Sequence, residues 1–240
     1  MSTRIINDVE RPTHELIDGF RKIETPHISD AMGKYQTISS EIRPIYDDAR
    51  VCGPALTVQC KPGDLTMVHL AVDIAKAGDV VVVDGRGERD FARWGYLISR
   101  RSKYKGIAGA VIDGGVRDLR EIKEIGFPVF AKSITPAAGG IFWPGSINTT
   151  ITCGGVTVNA GDIVVGDEDG VVIVPKQHAD TILAASKAIV DREKKIEEEI
   201  DRGASLVDIL RLADRLRPNL GIYPTSIRES IANWIKEKGG

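Results

Sequence analysis

Runs of branched apolar residues alternate with amphipathic segments along the first part of the chain. Residues 80–83 and 108–112 form two such runs, and residues 163–165 and 171–174 form two more. Strands that are covered on both faces have continuous apolar sequences, whereas half-exposed strands alternate. Segments with helical spacing follow the first two runs, at residues 91–105 and 118–125. This pattern predicts βαβ units around a parallel sheet.

The flanking segments predict further elements. Residues 50–60 indicate a strand, residues 14–23 and 65–77 indicate helices, and Gly78 is a natural helix end. A short helix is expected to begin at Ser29 or Asp30, since both are favoured N-cap residues. Residues 127–160 are rich in Pro, Gly and Thr and predict short strands, with hairpin turns at 159–162 and 168–170. The core is therefore expected to mix a parallel and an antiparallel half.

The C-terminal part of the chain is more polar and helical. Residues 178–202 predict a long charged helix, and its charged residues from 191 to 201 indicate a solvated face. Residues 205–216 and 225–237 predict two further amphipathic helices. We therefore expect an α/β core domain over residues 1–177 and a helical extension over residues 178–240.

Charge and composition exclude several classes of protein. The 240 residues carry 32 basic and 34 acidic side chains, a net charge of −2, so no global basic field is expected to attract nucleic acid. No run approaches the ~20 apolar residues of a membrane helix, and the N-terminus has no signal-type apolar region. Three cysteines without a Cys-x-x-Cys pair indicate buried, reduced thiols. We expect a cytoplasmic protein with neither a membrane nor a nucleic-acid partner.

Two sets of residues at predicted strand ends resemble functional motifs but are not interpreted as such. Gly85-Arg86-Gly87 resembles the start of a dinucleotide fingerprint, but Asp90 occupies the third glycine position, which disfavours an NAD enzyme. Four aspartates at strand ends are most simply turn residues that bond their own backbone. They are Asp84, Asp113, Asp167 and Asp169.

The pair Arg117-Asp118 stands out because it directly follows a buried strand. A carboxylate there can hold a hard cation, and the adjacent guanidinium can bind a carboxylate or an enolate. Glu121 lies three residues later, on the same face of the predicted helix. The alternative is an N-cap at Asp118 with a surface ion pair.

Ordered motifs give the chain a recognisable family resemblance over roughly residues 25–180. The chain resembles the RraA-like family, which contains the class II, metal-dependent 4-hydroxy-4-methyl-2-oxoglutarate aldolases and the regulator of ribonuclease activity A. The most specific motifs are Trp94-Gly95 together with residues 109–118, Gly-Ala-Val-Ile-Asp-Gly-Gly-Val-Arg-Asp. Supporting motifs lie at residues 28–32, 63–64, 77–84, 127–130, 161–162 and 170–175.

The resemblance implies a layered β/β/α fold of the swivelling-domain type, assembled as a homotrimer or hexamer. It implies a lyase that forms pyruvate through an enolate, by retro-aldol cleavage of a 4-hydroxy-2-oxo acid, by oxaloacetate decarboxylation, or both. The implied cofactor is a divalent cation, Mg²⁺ or Mn²⁺, on Asp118, with Arg117 beside the developing oxyanion. The implied substrate-binding loop is Gly95, Tyr96, Leu97 and Ile98, and Glu121 is expected to order a water that acts as base.

One departure from the family pattern bears on the reaction. Tyr96 stands where family enzymes have an acid or a glycine, twenty residues before the Arg-Asp pair, so it either donates a hydrogen bond or blocks that position. Because decarboxylation needs no base for a hydroxyl proton, it is the safer expected activity. The alternative is a non-catalytic regulator, which retention of Arg117, Asp118 and Glu121 disfavours.

Other polar residues near the motifs are interpreted structurally. His69 has apolar neighbours and is expected to be a packed core histidine. Glu88, Arg89, Asp90 and Arg93 are expected to form a solvated turn, the alternative being that they tune the choice of substrate. No glycine-rich adenosylmethionine loop follows a first strand, so nothing in the sequence favours a methyltransferase.

Overall fold

The structure is a computed structural model that describes residues 3–141, 145–222 and 224–238. It divides into two compact units, Met1–Ile189 and Val190–Gly240. The domain boundary expected at residue 178 stays a prediction. The strands, in chain order, are β1 (Arg4–Ile5), β2 (Arg43–Pro44), β3 (Val51–Gln59), β4 (Val80–Trp94), β5 (Gly109–Val116), β6 (Val129–Ile134), β7 (Ser146–Ile147), β8 (Ile151–Cys153), β9 (Val156–Val158), β10 (Ile163–Asp167) and β11 (Gly170–Val174).

The helices overlap most of the predicted amphipathic segments. In chain order they are α1 (His14–Phe20), α2 (Thr25–Ala31), α3 (Thr66–Ile74), α4 (Tyr96–Tyr104), α5 (Leu119–Ile125), α6 (Ala179–Asp201), α7 (Leu206–Ile209), α8 (Leu212–Leu216) and α9 (Thr225–Lys238). No helix among the described residues is both long and apolar enough to cross a membrane.

The main sheet combines parallel and antiparallel pairing, as the sequence predicts. Within the described residues its strand order is β1-β7-β3-β4-β5-β6-β2, and β10 and β11 join it through β3. The four central strands β3, β4, β5 and β6 are parallel. The outer pairings of β7 with β3, β2 with β6 and β10 with β3 are antiparallel. This mixed α/β fold with C-terminal helices confirms the predicted fold class.

Each face of the central sheet packs against a different layer. Val81 and Val83 of β4 point into a core shared with apolar residues of α3, α4 and α5. Val80 and Val82 point the other way, into a core shared with the β8–β9 hairpin and the β10–β11 pair. Alternate residues of a strand face opposite sides of the sheet. A strand that is covered on both faces therefore needs an apolar residue at every position, as in the valine run of β4.

The main correction to the predicted elements concerns β4. The strand was expected to end at Asp84, with a helix over 91–105, but β4 runs to Trp94 and α4 begins only at Tyr96. The register against β5 shifts after Val83, and Arg86 and Gly87 have positive φ values of 55° and 69°. Such irregularities insert extra residues and let a strand resume further along its partner.

Smaller corrections affect other element ends. Helix α2 begins at Thr25 rather than at Ser29 or Asp30, with Pro26 in its first turn, where proline is well tolerated. Helix α3 ends before Ala75, so Gly78 is not its cap. The first of the short strands expected within residues 127–160 is β6, which pairs parallel to β5 and belongs to the parallel half. The helix expected over 205–216 is broken at Arg211, which has a φ of 51°.

Candidate active site

The candidate site lies where two parallel strands end side by side. Trp94, the last residue of β4, pairs with Val116, the last residue of β5. The Arg117 backbone N–H donates to the Trp94 carbonyl oxygen at 3.0 Å. The residues that follow each strand therefore meet, which brings Gly95 and Tyr96 beside Arg117 and Asp118. In open α/β sheets, ligand sites form beyond the carboxyl ends of parallel strands in this way.

Asp118 adopts an unfavourable backbone conformation at the head of α5. Its φ and ψ are 61° and 40°, in the left-handed region, which costs on the order of 1–3 kcal/mol for a residue other than glycine. It occupies the N-cap position of α5, yet its side chain makes no capping hydrogen bond. Asp118 therefore stands at the expected N-cap position beside Arg117, but the side-chain capping bond of that alternative is absent.

The Asp118 carboxylate points back towards the start of α4. Its Oδ2 accepts a 3.0 Å hydrogen bond from the Tyr96 backbone N–H and lies 3.6 Å from Nε of Arg117. The side chain is 36% exposed. The group is thus held by a backbone donor, flanked by a cation and open to solvent, as expected of a carboxylate that receives a ligand.

Gly95 makes this arrangement sterically possible. A Cβ atom at residue 95 would lie 2.7 Å from Oδ2 of Asp118 and 3.2 Å from Cγ of Arg117. The φ of Gly95 is −160°, an extended value that any residue adopts. The glycine is therefore needed for space rather than for backbone conformation.

These residues border an open cleft of about 270 Å³ between α3, the start of α4 and the two strand ends. Trp94, one of the lining residues, stacks on Phe127 with ring centroids 6.0 Å apart. The Trp94 Nε1–H donates to Oγ of Ser99 at 2.7 Å. The cleft is lined by Leu65, His69, Ala92, Arg93, Trp94, Gly95, Tyr96, Leu97, Ile98, Arg117, Asp118 and Ala138.

The structure brings together most of the sequence-predicted site residues. Gly95, Tyr96, Leu97, Ile98, Arg117 and Asp118 all line the cleft. Glu121 is exposed on α5 and is not among the lining residues, and its expected role stays a prediction. The Tyr96 side chain is half-buried, and its hydroxyl accepts a 3.0 Å hydrogen bond from Nη1 of Arg100.

His69 is a lining residue whose position the sequence interpretation got wrong. It was expected in the core, but it is exposed and faces the cleft. Helix α3 buries Met67, Val68, Ala71 and Val72, which leaves His69 on the opposite side. A helical projection of the buried positions would have placed it outside the core.

Arg93 also departs from the expected solvated turn. Arg93 is 1% exposed and makes an ion pair with Glu88. Oε2 of Glu88 also accepts a 2.7 Å hydrogen bond from the Gly63 N–H. Among the described residues, its buried Nε and Nη1 atoms have no hydrogen-bond partner. Arg93 is thus a buried lining residue of the cleft whose charge is balanced by Glu88.

Asp118 fits a divalent cation by its chemistry. Mg²⁺ in enzymes is commonly held by one or two carboxylates, with the remaining positions taken by waters and substrate oxygens. Asp118 supplies one such partly exposed carboxylate, which accepts a hydrogen bond from the Tyr96 N–H at the start of α4 and does not cap its own helix α5. The residues at the cleft therefore fit a cation that is shared between the protein and a chelating substrate.

A second acidic group lies elsewhere, at Glu24, Asp167 and Glu168. Its carboxylates already have protein partners. Asp167 accepts hydrogen bonds from the Thr25 N–H and hydroxyl, both at 2.7 Å, and Arg50 contacts Glu24 and Glu168. These hydrogen bonds and ion pairs connect α2 to the β10–β11 turn.

Two other sequence interpretations are confirmed outside the cleft. Asp84 and Asp167 each accept a 3.0 Å hydrogen bond from the backbone N–H two residues later, as turn aspartates do. Asp113 is an exception, because it lies inside β5 and its Oδ2 accepts a 3.0 Å hydrogen bond from the distant Gly154 N–H. The cysteines Cys52, Cys60 and Cys153 are free and buried. Burial raises the pKa of the Cys60 thiol, beside the cleft wall, to about 12, so it is a poor nucleophile near neutral pH.

The fold and cleft define an α/β protein with a small cleft at the ends of parallel strands, bordered by Arg117 and Asp118. The sequence profile "RraA-like: Aldolase/RraA" matches residues 25–173, and the chain belongs to this family. It is 40% identical over 173 residues to a putative 4-hydroxy-4-methyl-2-oxoglutarate aldolase of Halalkalibacterium halodurans, covering 72% of this chain and 82% of that protein. It is also 40% identical over 194 residues to an uncharacterized protein of Methanocaldococcus jannaschii, covering 80% and 92%.

Solved structures of the family share the fold. Streptomyces coelicolor RraAS2, described as an unusual member of the RNase ES inhibitor RraA protein family, has a TM-score of 0.70 and 28% identity. That match covers 80% of this chain and all of RraAS2. The RNA-processing inhibitor RraA from Thermus thermophilis has a TM-score of 0.59 and 28% identity, covering 64% and 93%.

Proposed function

We propose that the protein is a divalent-metal-dependent lyase that releases pyruvate from a 2-oxo acid. The observation that carries the proposal is Asp118, a strained carboxylate that does not cap its helix and opens into a cleft beside Arg117. Strained residues of this kind cluster at functional sites. Relatives named as putative aldolases support the same class of reaction.

Each residue of the cleft has a separate role in the proposed reaction. Asp118 would hold the cation, and the Tyr96 N–H fixes the direction of its carboxylate. Arg117 provides a second positive charge for the oxyanion that develops on the ketone oxygen. The backbone N–H groups of Leu97 and Ile98, in the first turn of α4, would receive the substrate carboxylate. When bound, Mg²⁺ or Mn²⁺ supplies Lewis-acid polarisation of the ketone.

Two reactions share this chemistry. Retro-aldol cleavage of a 4-hydroxy-2-oxo acid and decarboxylation of oxaloacetate both leave a pyruvate enolate, which the same two positive charges stabilise. As the family resemblance implies, we further propose that the enzyme works as a homotrimer or hexamer in the cytoplasm.

The test is pyruvate release by the purified protein from oxaloacetate and from 4-hydroxy-4-methyl-2-oxoglutarate, each with Mg²⁺ and then with excess EDTA. We expect a rate above that of Mg²⁺ alone, abolished by EDTA. A rate equal to the metal-only background with both substrates would contradict the proposal.

The second candidate is a regulatory binding protein, favoured by the structural likeness to RNA-processing inhibitors. It predicts no turnover with either substrate and no effect of Asp118→Asn on its binding activity. Absence of pyruvate release, together with inhibition of a ribonuclease of the RNase E type by the protein, would put this function first.

A further inference from the structure

The cleft holds few side chains able to exchange a proton with a ligand. Of the lining residues only His69, Arg93, Tyr96, Arg117 and Asp118 are ionisable. Retro-aldol cleavage requires a base, because the C4 hydroxyl must lose its proton as the C3–C4 bond breaks. This inference rests on the proposed lyase function and concerns which residue takes that proton.

Chemistry excludes four of the five side chains. Arg93 and Arg117 are guanidinium groups, which are not deprotonated in proteins and have no acceptor. Asp118 is held by the Tyr96 N–H and is assigned to the cation. The Tyr96 hydroxyl already accepts a hydrogen bond from Arg100, and a neutral phenol is a far weaker base than imidazole.

His69 has the required chemistry and an open position. A neutral imidazole offers one nitrogen lone pair as an acceptor, and histidine is the commonest general base in enzymes. The side chain is exposed, so it can meet a ligand without displacing core residues. Its backbone is fixed in the first turn of α3, where the His69 N–H donates to the Leu65 carbonyl oxygen at 3.1 Å.

We infer that His69 is the general base of the retro-aldol reaction and contacts the part of the substrate beyond C3. The C4–OH proton moves to the free imidazole nitrogen, and the O–H electron pair forms the new C4 carbonyl. The C3–C4 electron pair becomes the C2–C3 double bond of pyruvate enolate. Return of the proton from imidazolium to C3 gives pyruvate and neutral His69, so atoms and charge balance.

The experiment compares two reactions in one set of variants. Oxaloacetate decarboxylation forms the same enolate but has no hydroxyl proton to remove. The ratio of retro-aldol kcat to decarboxylation kcat therefore isolates the base. It is measured for the wild-type chain, His69→Gln and Glu121→Gln. The matched control is His178→Gln, an exposed histidine outside the cleft lining.

We expect His69→Gln to lower the ratio by on the order of 100-fold, the usual contribution of a general base. The control is expected to leave the ratio unchanged. An unchanged ratio in His69→Gln, or a fall confined to Glu121→Gln, would overturn the inference while leaving the lyase function intact. Failure of the wild-type chain on both substrates would instead overturn the proposed function.

A binding measurement gives a readout that does not depend on turnover. The His69 ring signals are assigned in a histidine-labelled NMR spectrum by their absence in His69→Gln. We expect them to shift when 2-oxoglutarate, a 2-oxo acid without a 4-hydroxyl group, is added with Mg²⁺. Signals that stay in place at saturating 2-oxoglutarate would show that His69 does not meet the ligand and would overturn the inference.

Discussion

The backbone N–H of Tyr96 donates a 3.0 Å hydrogen bond to Oδ2 of Asp118 across the ends of two neighbouring strands. The carboxylate therefore acts at the start of α4, and it leaves its own helix α5 without a side-chain cap. Because Asp118 is held by a backbone donor, its direction does not depend on the side chain at residue 96. This explains how the cleft can carry a tyrosine where the family pattern has an acid or a glycine.

Replacing Tyr96 by proline tests the backbone contact. Proline is favoured at the first helical position and lacks the N–H, so α4 should form while Asp118 loses its donor. A hydrogen bond to a charged group contributes about 1.5–3 kcal/mol. We therefore expect Tyr96→Pro to have at least about tenfold lower kcat than Tyr96→Ala, measured as pyruvate release from oxaloacetate. Equal rates in the two variants would show that the N–H has no role.

The left-handed backbone of Asp118 is expected to lower the free energy of unfolding of the protein. Asp118→Gly loses a hydrogen bond but relieves the left-handed strain, whereas Asp118→Ala loses the bond and keeps the strain. We expect the glycine variant to be more stable than the alanine variant by about 1 kcal/mol in urea unfolding, with both inactive. If alanine proved as stable as glycine, the backbone strain assigned to Asp118 would be absent in solution.

Gly95→Ala should displace the site without disrupting the fold. The added Cβ would lie 2.7 Å from the Asp118 carboxylate, and misplacement of a reacting group by about 1 Å costs on the order of 100-fold in rate. We expect that loss in kcat with a near-native circular dichroism spectrum. Gly221→Ala is the matched control, since an added Cβ there meets nothing within 4 Å. Full activity in Gly95→Ala would mean that Asp118 need not sit where the structure has it.

Local sequence was enough to place Arg117-Asp118 at the end of a buried parallel strand, where the candidate site lies. Arg117-Asp118 follows a continuous apolar run, and such a run predicts a buried parallel strand whose end is a ligand site. The layered fold followed from the same runs and from the family resemblance. These features depend on local pattern and on the rule that parallel strands end at one edge.

The parts that were missed depend on tertiary pairing. Strand β4 continues to Trp94 because Arg86 and Gly87 allow it to resume beside β5, and no periodicity in residues 84–94 signals this pairing. Arg93 is buried because Glu88 pairs with it, although both lie in a polar segment. His69 is an exception, because the helical projection of α3 separates it from the face that carries Met67, Val68, Ala71 and Val72.

The most direct test of the account is where a divalent cation binds. Mn²⁺ binding, followed by electron paramagnetic resonance in the presence of oxalate, is measured for the wild-type chain, Asp118→Asn and Glu24→Gln. If the cleft carboxylate holds the cation, the Mn²⁺ site is lost in Asp118→Asn and retained in Glu24→Gln. Unchanged Mn²⁺ affinity in Asp118→Asn, or a loss confined to Glu24→Gln, would contradict it.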